Sequence, residues 1–439
     1  MSATVSLSRS IQTEQHLVFF LFVLCCFLYV RDGEGISPAQ GHVELGIIYF
    51  EEGEYNEAIG EFKKAIAIDP NYAKVYNNLG DAYAEQGKYD LAIESFQKAI
   101  SIDPNHADAY NDLGFVYYMQ DKYGLAVESY QKLISINPNY ASKNNYVYSY
   151  LGELYFAQGK YGLAVKSFQK LISINPKGGH HNLGKAYSKQ GKYDLAIESY
   201  QKAINDNPIY LAAYRDLGDA YAAQGKYDLA IESYQKALTI NPNFAPLHVD
   251  LGLAYYKQGK YDLAIESFQK AITINPNSVR AYNGLGLVYE VQEEYDLAIE
   301  SYQKAITINP EDAVVHFFLG TTYDKLGKYD QAIESYQKVI ALDPDLAFVH
   351  KNLGSIYSEQ SKYDLAIEVY QKAISSDPKG VYYRLARVYS LEGKKVLSIE
   401  SLRKAISLDK DFIGKAKKDS DFDNIRESSE FQALIRSVE

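Results

Sequence analysis

Apolar side chains recur along most of this chain at intervals of three and four residues, which places them on one face of an α-helix. In residues 73–106 the first half, AKVYNNLGDAYAEQ, has Val75 and Leu79 at this spacing, and the second half, YDLAIESFQKAISI, repeats the pattern. Gly87 interrupts the first helix, and Pro104 keeps the second from continuing. The pattern therefore predicts an antiparallel pair of helices, each about three turns long.

This helix pair is copied along the chain. The dipeptide Leu-Gly marks ten copies, and an eleventh copy reads Leu385-Ala386; the steps are 34 residues except for one of 38 and two of 32. If each repeat begins six residues before its Leu, eleven repeats run from Ala39 to Phe412. A single pair cannot bury its apolar faces, so neighbouring repeats must stack into a continuous core.

Some positions of the repeat are nearly constant. Position 11 is Tyr in all eleven repeats, position 8 is Gly in ten, position 20 is Ala in ten, and position 24 is aromatic in ten. Small residues at two places and large aromatic rings at others predict helices that interlock at short distance.

At these positions the chain resembles the tetratricopeptide repeat, whose 34-residue pattern has Leu at position 7, Gly at 8, Tyr at 11, Ala at 20 and Pro at 32. The resemblance covers about 85% of the chain. It implies an all-α fold, a right-handed α-α superhelix of tetratricopeptide units, with a concave groove lined mainly by the first helices. It also implies a protein that binds other proteins or extended peptides and has no chemistry of its own.

Composition and charge narrow the function further. The net charge is −11, with 45 Lys and Arg against 56 Asp and Glu, which disfavours a nucleic-acid partner. There are only two cysteines, the adjacent Cys25 and Cys26, so neither a disulfide framework nor a multi-thiolate metal site is expected. Five of the eight histidines fall at position 4, an aromatic position of the family, where we interpret them as packing residues. We therefore predict no catalytic residues, no metal, no cofactor and no small-molecule substrate.

Both ends of the chain differ from the repeats. The segment 1–38 contains Leu17–Val30, which has fourteen uncharged apolar residues after Arg9, and we interpret it as a signal or anchor segment followed by a linker. It predicts export or membrane attachment, with a cytoplasmic location as the alternative. The polar segment 413–439 is predicted to form capping helices over the last repeat.

The sequence favours a non-enzymatic scaffold that binds a partner protein or extended peptide in the groove. One alternative is a chaperone-like factor that assembles protein complexes. Another is the substrate-binding subunit of a glycosyltransferase similar to O-GlcNAc transferase, with its catalytic domain on a separate chain, because Asn78, Asn182 and Asn352 all occupy position 6.

The groove-facing positions 2, 5, 6, 9, 12 and 13 locate the candidate binding site. Five of their eleven aromatic residues fall in repeats 3 and 4, on either side of a four-residue insertion near residues 141–144. Repeats 1 to 3 carry six acids and one base at these positions, and Asp108 and Asp112 are among the acids. We predict a site for an extended segment with an apolar anchor and a nearby Lys or Arg. Its residues are Phe115, Tyr118, Tyr146, Tyr150, Phe156, Asp108, Asp112 and Asn78.

Overall fold

The structure is a computed structural model that describes residues 37–436 except 145 and 345. The described residues contain 25 α-helices, one short 3-10 helix at Ser420–Phe422 and no β-strand, which confirms the predicted all-α class. In chain order the α-helices are α1 (Pro38–Glu51), α2 (Tyr55–Ile68), α3 (Ala73–Glu85), α4 (Tyr89–Ile102), α5 (Ala107–Met119), α6 (Tyr123–Ile136), α7 (Pro138–Lys143), α8 (Tyr146–Ala157), α9 (Tyr161–Ile174), α10 (His180–Lys189), α11 (Tyr193–Asp206), α12 (Leu211–Ala223), α13 (Tyr227–Ile240), α14 (Ala245–Lys257), α15 (Tyr261–Ile274), α16 (Val279–Val291), α17 (Tyr295–Ile308), α18 (Ala313–Lys325), α19 (Tyr329–Leu342), α20 (Ala347–Glu359), α21 (Tyr363–Ala373), α22 (Pro378–Leu391), α23 (Lys395–Leu408), α24 (Asp411–Ala416) and α25 (Ser429–Arg436).

The chain divides into two compact units, Met1–Ala220 and Tyr221–Glu439, which we name the N-terminal and the C-terminal unit. In the N-terminal unit one apolar cluster extends through successive repeats from Val43 to Ala186. In the C-terminal unit successive repeats also pack on one another, with clusters built from the buried faces of α14–α23. Each unit is therefore a solenoid of stacked helix pairs, as the resemblance implied.

Each repeat turns back on itself where its first helix ends. In repeat 2 the backbone of Gly87 has φ +70°, which reverses the chain between α3 and α4. Three other repeats place a non-glycine residue at this position with the same left-handed conformation. These residues are Asp121, Glu293 and Ser361.

Glycine at position 8 lets the two helices of a repeat approach closely. In nine of the described repeats a Cβ atom on this glycine would lie only 2.3–3.1 Å from the aromatic ring at position 24 of the same repeat. In repeat 2, for example, the ring of Phe96 fills the space above Gly80. The alternation of small and large residues in the sequence is therefore the interlock between paired helices.

The invariant tyrosine at position 11 joins neighbouring repeats. In six repeats its hydroxyl accepts a hydrogen bond from the glutamine at position 25 of the preceding repeat, over 2.7–3.5 Å. A phenylalanine would leave the glutamine amide without this partner, which explains why these six positions are tyrosine rather than any aromatic residue. The pairs are Gln97 with Tyr117, Gln131 with Tyr155, Gln169 with Tyr187, Gln235 with Tyr255, Gln303 with Tyr323 and Gln337 with Tyr357.

The insertion between repeats 3 and 4 forms the extra helix α7. The side chain of Asn137 caps it by accepting a hydrogen bond from the backbone N–H of Tyr140 at 2.9 Å. Ala141, inside this helix, is fully buried in the core of the N-terminal unit. The inserted residues therefore belong to the packed structure and bring Tyr140 towards the groove side of repeat 3.

The segment after the last repeat packs on that repeat. Phe422 and Phe431 of this segment are buried together with Tyr383, Leu402 and Phe412 of repeat 11. The guanidinium of Arg426 donates hydrogen bonds to the backbone carbonyls of residues 416, 417 and 419, which ties the segment together. This packing supports a capping role for 413–439, and that role and the domain boundaries at 38 and 412 remain predictions.

The predicted localisation needs a correction. Leu17–Val30 lies outside the described residues, and across the described range no helix is long and apolar enough to cross a membrane. The longest described helices have 14 residues, or about 21 Å, which is less than the roughly 30 Å hydrocarbon core. The prediction of export or membrane attachment through Leu17–Val30 is therefore wrong on this finding, and we withdraw it.

Candidate functional site

Four of the predicted aromatic residues meet at one place on the first helices of repeats 3 and 4. Tyr150 lies at the centre: its ring centroid is 5.8 Å from that of Phe115, 5.3 Å from that of Tyr118 and 6.1 Å from that of Tyr146. Phe115 is 40% exposed and Tyr146 is 39% exposed, so the group is open to solvent. We call these four residues the aromatic surface.

A buried ring holds the aromatic surface in place from below. Tyr130 of α6 is completely buried and stacks on Tyr150, with the ring planes 6° apart and the centroids separated by 6.0 Å. Burial and then the charge of Glu153 raise the pKa of Tyr118, so this phenol stays neutral and keeps its proton as a hydrogen-bond donor. The aromatic surface is therefore both rigid and able to form hydrogen bonds.

Phe156, predicted as part of the same site, lies elsewhere. Its ring contacts Tyr161 of α9 at 5.3 Å, and the ammonium group of Lys185 lies 5.4 Å from its centroid. It borders a separate cavity of about 260 Å³ whose wall includes Tyr200 and Asp216. The structure therefore divides the predicted site at the end of α8, because Phe156 points towards repeat 5 and not towards repeat 3.

An acidic group lies next to the aromatic surface. The amide nitrogen of Asn77 donates to Asp112 at 3.0 Å and to Asp81 at 3.2 Å, and the amide of Asn111 donates to Asp112 at 2.9 Å. Burial, followed by the charge of Asp112, raises the pKa of Asp81 to about 8, and burial also raises the pKa of Asp112. We call Asp81 and Asp112 the aspartate pair.

Asp108 and Asn78, also predicted for the site, have different surroundings. Asp108 is exposed, and its charge acts on the phenol of Tyr140, whose pKa is raised by burial first and by Asp108 second. The amide nitrogen of Asn78 is buried, with no hydrogen-bond partner among the described residues. Both lie on the first helices that carry the aspartate pair, Asp108 on α5 and Asn78 on α3.

Reasoning from the sequence missed Asp81, Asn77, Asn111 and Tyr130 as members of the site. Asp81 occupies the groove-facing position 9 of repeat 2, but its approach to Asp112 depends on how α3 packs beside α5. A signal was available, because repeats 2 and 3 both carry Asn at position 5. The significance of these two asparagines becomes visible only in the structure, where the amides of Asn77 and Asn111 both donate to Asp112.

Three of the histidines at position 4 join their repeat to the end of the preceding one. The imidazole Nε2 of His248, of His316 and of His350 donates to the carbonyl oxygen of the proline six residues earlier, at 2.8, 3.0 and 3.3 Å respectively. Among the residues that the structure describes, no group of three His, Cys, Asp or Glu side chains could hold a metal ion.

We expect a chelator to leave the protein unchanged. Adding EDTA should not alter the helical circular dichroism signal or its melting temperature, because the helices are held by apolar packing and not by metal ligands. The measurement is a thermal scan with and without the chelator. A fall in helicity on adding EDTA would contradict this expectation.

A second group of aromatic side chains lies in the C-terminal unit. The rings of Phe317 and Phe348 meet edge to face at 4.9 Å, and Phe318 stacks on Tyr302 at 6.1 Å. Phe348 is partly exposed, so this group offers a comparison for the aromatic surface.

Comparisons with known proteins agree with this architecture. Profiles described as TPR repeat match residues 46–87, 80–121, 152–191, 184–225, 218–259, 252–293 and 320–361. Profiles described as Tetratricopeptide repeat match residues 107–140, 279–312, 301–334, 347–379 and 380–412. No curated protein matches the chain.

Several solved structures are similar to parts of the chain. The MamA protein is 32% identical over 39% of this chain and 94% of its own, with a TM-score of 0.35. YrrB, described as a TPR protein with an unusual peptide-binding site, is 26% identical over 42% of this chain and 94% of its own, with a TM-score of 0.35. The APC/C hetero-tetramer Cut9-Hcn1 is 15% identical over 88% of this chain and 95% of the matched chain, with a TM-score of 0.41.

The profile matches extend over more than half of the chain and coincide with the stacked helix pairs. The protein therefore belongs to the tetratricopeptide repeat family, whose members bind protein or peptide partners.

Proposed function

We propose that this protein is a non-enzymatic scaffold that binds an extended segment of a partner protein across the aromatic surface. The observation that carries the proposal is the meeting of Phe115, Tyr118, Tyr146 and Tyr150, from two consecutive first helices, at a place open to solvent. The physical reason is that such residues, once covered, contribute more binding free energy than most others.

The rigidity of the aromatic surface favours binding. Tyr150 is held between Tyr118 and the buried Tyr130, so little side-chain freedom is lost when a partner covers it. The phenols at the edge can also form hydrogen bonds with the backbone of an extended segment, which a purely aliphatic surface could not do.

Peptides selected from a random library against the wild-type protein provide the test. We expect the double variant Tyr118→Ala and Tyr146→Ala to weaken binding of a selected peptide at least tenfold, measured by fluorescence polarisation. Phe156 is left unchanged in this variant, because it lies apart from the aromatic surface. The helical circular dichroism signal should be unchanged.

The matched control is Phe317→Ala with Phe348→Ala in the C-terminal unit, which also removes two rings that are not fully buried. It should leave peptide binding within about twofold of wild type. If this variant loses binding and the Tyr118 and Tyr146 variant keeps it, the site is the second aromatic group and the proposal is wrong.

The assembly factor and the glycosyltransferase subunit remain alternatives without a specific supporting observation. Of the position-6 asparagines on which the second alternative depends, Asn352 already donates to the hydroxyl of Tyr336 at 3.5 Å. We therefore develop neither of them further.

A further inference from the structure

The aspartate pair is an unusual arrangement of charge. Asp81 of α3 and Asp112 of α5 both accept a hydrogen bond from the single amide nitrogen of Asn77, which holds the two carboxylates side by side. Asn77 itself is only 5% exposed. Two carboxylates in such contact repel one another when both are ionised, so at neutral pH the free protein keeps a proton on the pair, and only a cation lets both carboxylates ionise.

Several polar atoms beside the aspartate pair have no hydrogen-bond partner of their own. The amide oxygens of Asn77 and Asn111 and the hydroxyl of Tyr130 are all buried, and none has a hydrogen-bond partner within the described ranges. Among those same residues, neither Asp81 nor Asp112 forms an ion pair with a base. Buried polar atoms without a partner are rare in proteins, which indicates that a polar group absent from the free chain completes this place.

In repeats 5 and 6 the positions that correspond to Asn77 and Asp112 carry a basic side chain beside the aspartate. There, position 5 is His181, whose Nε2 lies 2.8 Å from a carboxylate oxygen of Asp216, and position 9 is Lys185. The hydroxyl of Tyr210 forms a hydrogen bond with the second ring nitrogen of His181 at 2.9 Å. The same positions thus hold a histidine paired with an aspartate in repeats 5 and 6, and two aspartates held only by asparagine amides in repeats 2 and 3.

We propose that the aspartate pair receives the guanidinium group of an arginine in the extended segment that lies on the aromatic surface. This inference rests on the proposed function and names the chemistry of the partner. A guanidinium presents five N–H donors in a plane, which suits two adjacent carboxylates with further acceptors behind them.

Arginine fits better than lysine for two reasons. It is more weakly hydrated than an ammonium group, so it enters a partly buried place at lower cost. It also stacks on aromatic rings, and Tyr146, close enough for its pKa to be raised by the charge of Asp112 as well as by burial, offers such a ring at the rim.

Titration gives the proposal an additional signature. Because burial holds the pKa of Asp81 near 8, the free protein keeps a proton there at neutral pH, and a bound guanidinium displaces it. Binding of the arginine segment should therefore strengthen as the pH rises from about 6 to about 9. The other titratable groups facing the pair are Asp108, His106, Tyr130, Tyr140 and Tyr146; burial raises the pKa of each of these three phenols, so they stay protonated over this range.

The test uses synthetic glycine-based peptides with blocked ends that carry one phenylalanine and one test residue at each separation from one to four residues. The test residue is arginine, lysine or citrulline, which has the shape of arginine without its charge. At the best separation, the arginine peptide should bind the full-length wild-type protein at least tenfold more tightly than the citrulline peptide. It should also bind more tightly than the lysine peptide and than N-acetyl-arginine amide.

Two double variants assign the preference to the aspartate pair. Asp81→Asn with Asp112→Asn should bind the arginine and citrulline peptides equally and lose the pH dependence. Its fold should be intact, because asparagine has nearly the shape of aspartate and carries no charge that burial would penalise. The control Asp262→Asn with Asp296→Asn makes the same two substitutions at exposed positions of the C-terminal unit and should keep the preference.

The outcomes separate this inference from the proposed function. If wild-type protein binds the arginine and citrulline peptides equally, and Tyr118→Ala with Tyr146→Ala weakens both, the aromatic surface stands and the arginine site is overturned. Equal binding of lysine and arginine, or of the free arginine derivative and the peptide, overturns the choice of a guanidinium in a peptide. If the wild-type protein binds none of these peptides, both proposals are wrong.

Discussion

Phe268→Ala is expected to destabilise the C-terminal unit by about 3–5 kcal/mol, at the upper end of what single substitutions cost. Phe268 is 0% exposed, and its ring lies against Gly252 of the same repeat and Gly284 of the next, where Cβ atoms would lie only 2.7 and 2.5 Å from it. Glycines have no side chains that could move into the space, so removing the ring leaves a cavity that the surroundings cannot close.

The matched control is Phe348→Ala, which deletes the same atoms from a side chain that is 44% exposed. It should cost about 1 kcal/mol or less, mainly its edge-to-face contact with Phe317. Urea titration followed by circular dichroism measures both, with hydrogen exchange locating the loss, because repeat arrays need not unfold in one step. Equal losses for the two variants would show that Phe268 does not close the core between repeats 7 and 8.

Gly80→Ala is expected to destabilise the N-terminal unit by about 1–3 kcal/mol, even though alanine favours helix over glycine by about 1 kcal/mol. A Cβ atom at residue 80 would lie 2.5 Å from Cε1 and 2.6 Å from Cδ1 of Phe96. Phe96 is fully buried and cannot swing aside, so α3 and α4 must separate.

Gly60→Ala is the control with the opposite sign. Gly60 lies inside α2, and nothing lies within 4 Å of the added Cβ atom, so the substitution should stabilise by about 0.5–1 kcal/mol. Thermal and urea unfolding of the two variants should therefore shift in opposite directions from wild type. A stabilised Gly80→Ala variant would show that the short approach between α3 and α4 is not required.

Much of the fold was predictable because it is repeated. The helix pairs, their turns and the small and large positions recur with a fixed period, so each repeat confirms the assignment of the others. The reason for the invariant tyrosine was not predictable, since the glutamine that binds it lies in the preceding repeat at a sequence separation of 18 to 24 residues.

The candidate site was predictable in part. The groove-facing positions of repeats 3 and 4 are rich in aromatic residues, and this predicted a site there. The structure brings four of these residues together, namely Phe115, Tyr118, Tyr146 and Tyr150. The same prediction included Phe156, because a position number describes a place along a helix and does not say which neighbouring repeat the side chain contacts. The buried Tyr130 was omitted because it belongs to a second helix.

For this protein the sequence by itself determined the class of fold, the length of the repeat and the faces that must be buried. These follow from local helical periodicity and from the need of each pair to cover its apolar faces. The tertiary structure alone decided that Asp81 and Asp112 share Asn77, and that buried acceptors beside them lack donors. The physical reason is that the contact joins residues 35 positions apart, where its geometry depends on how one repeat packs on the next.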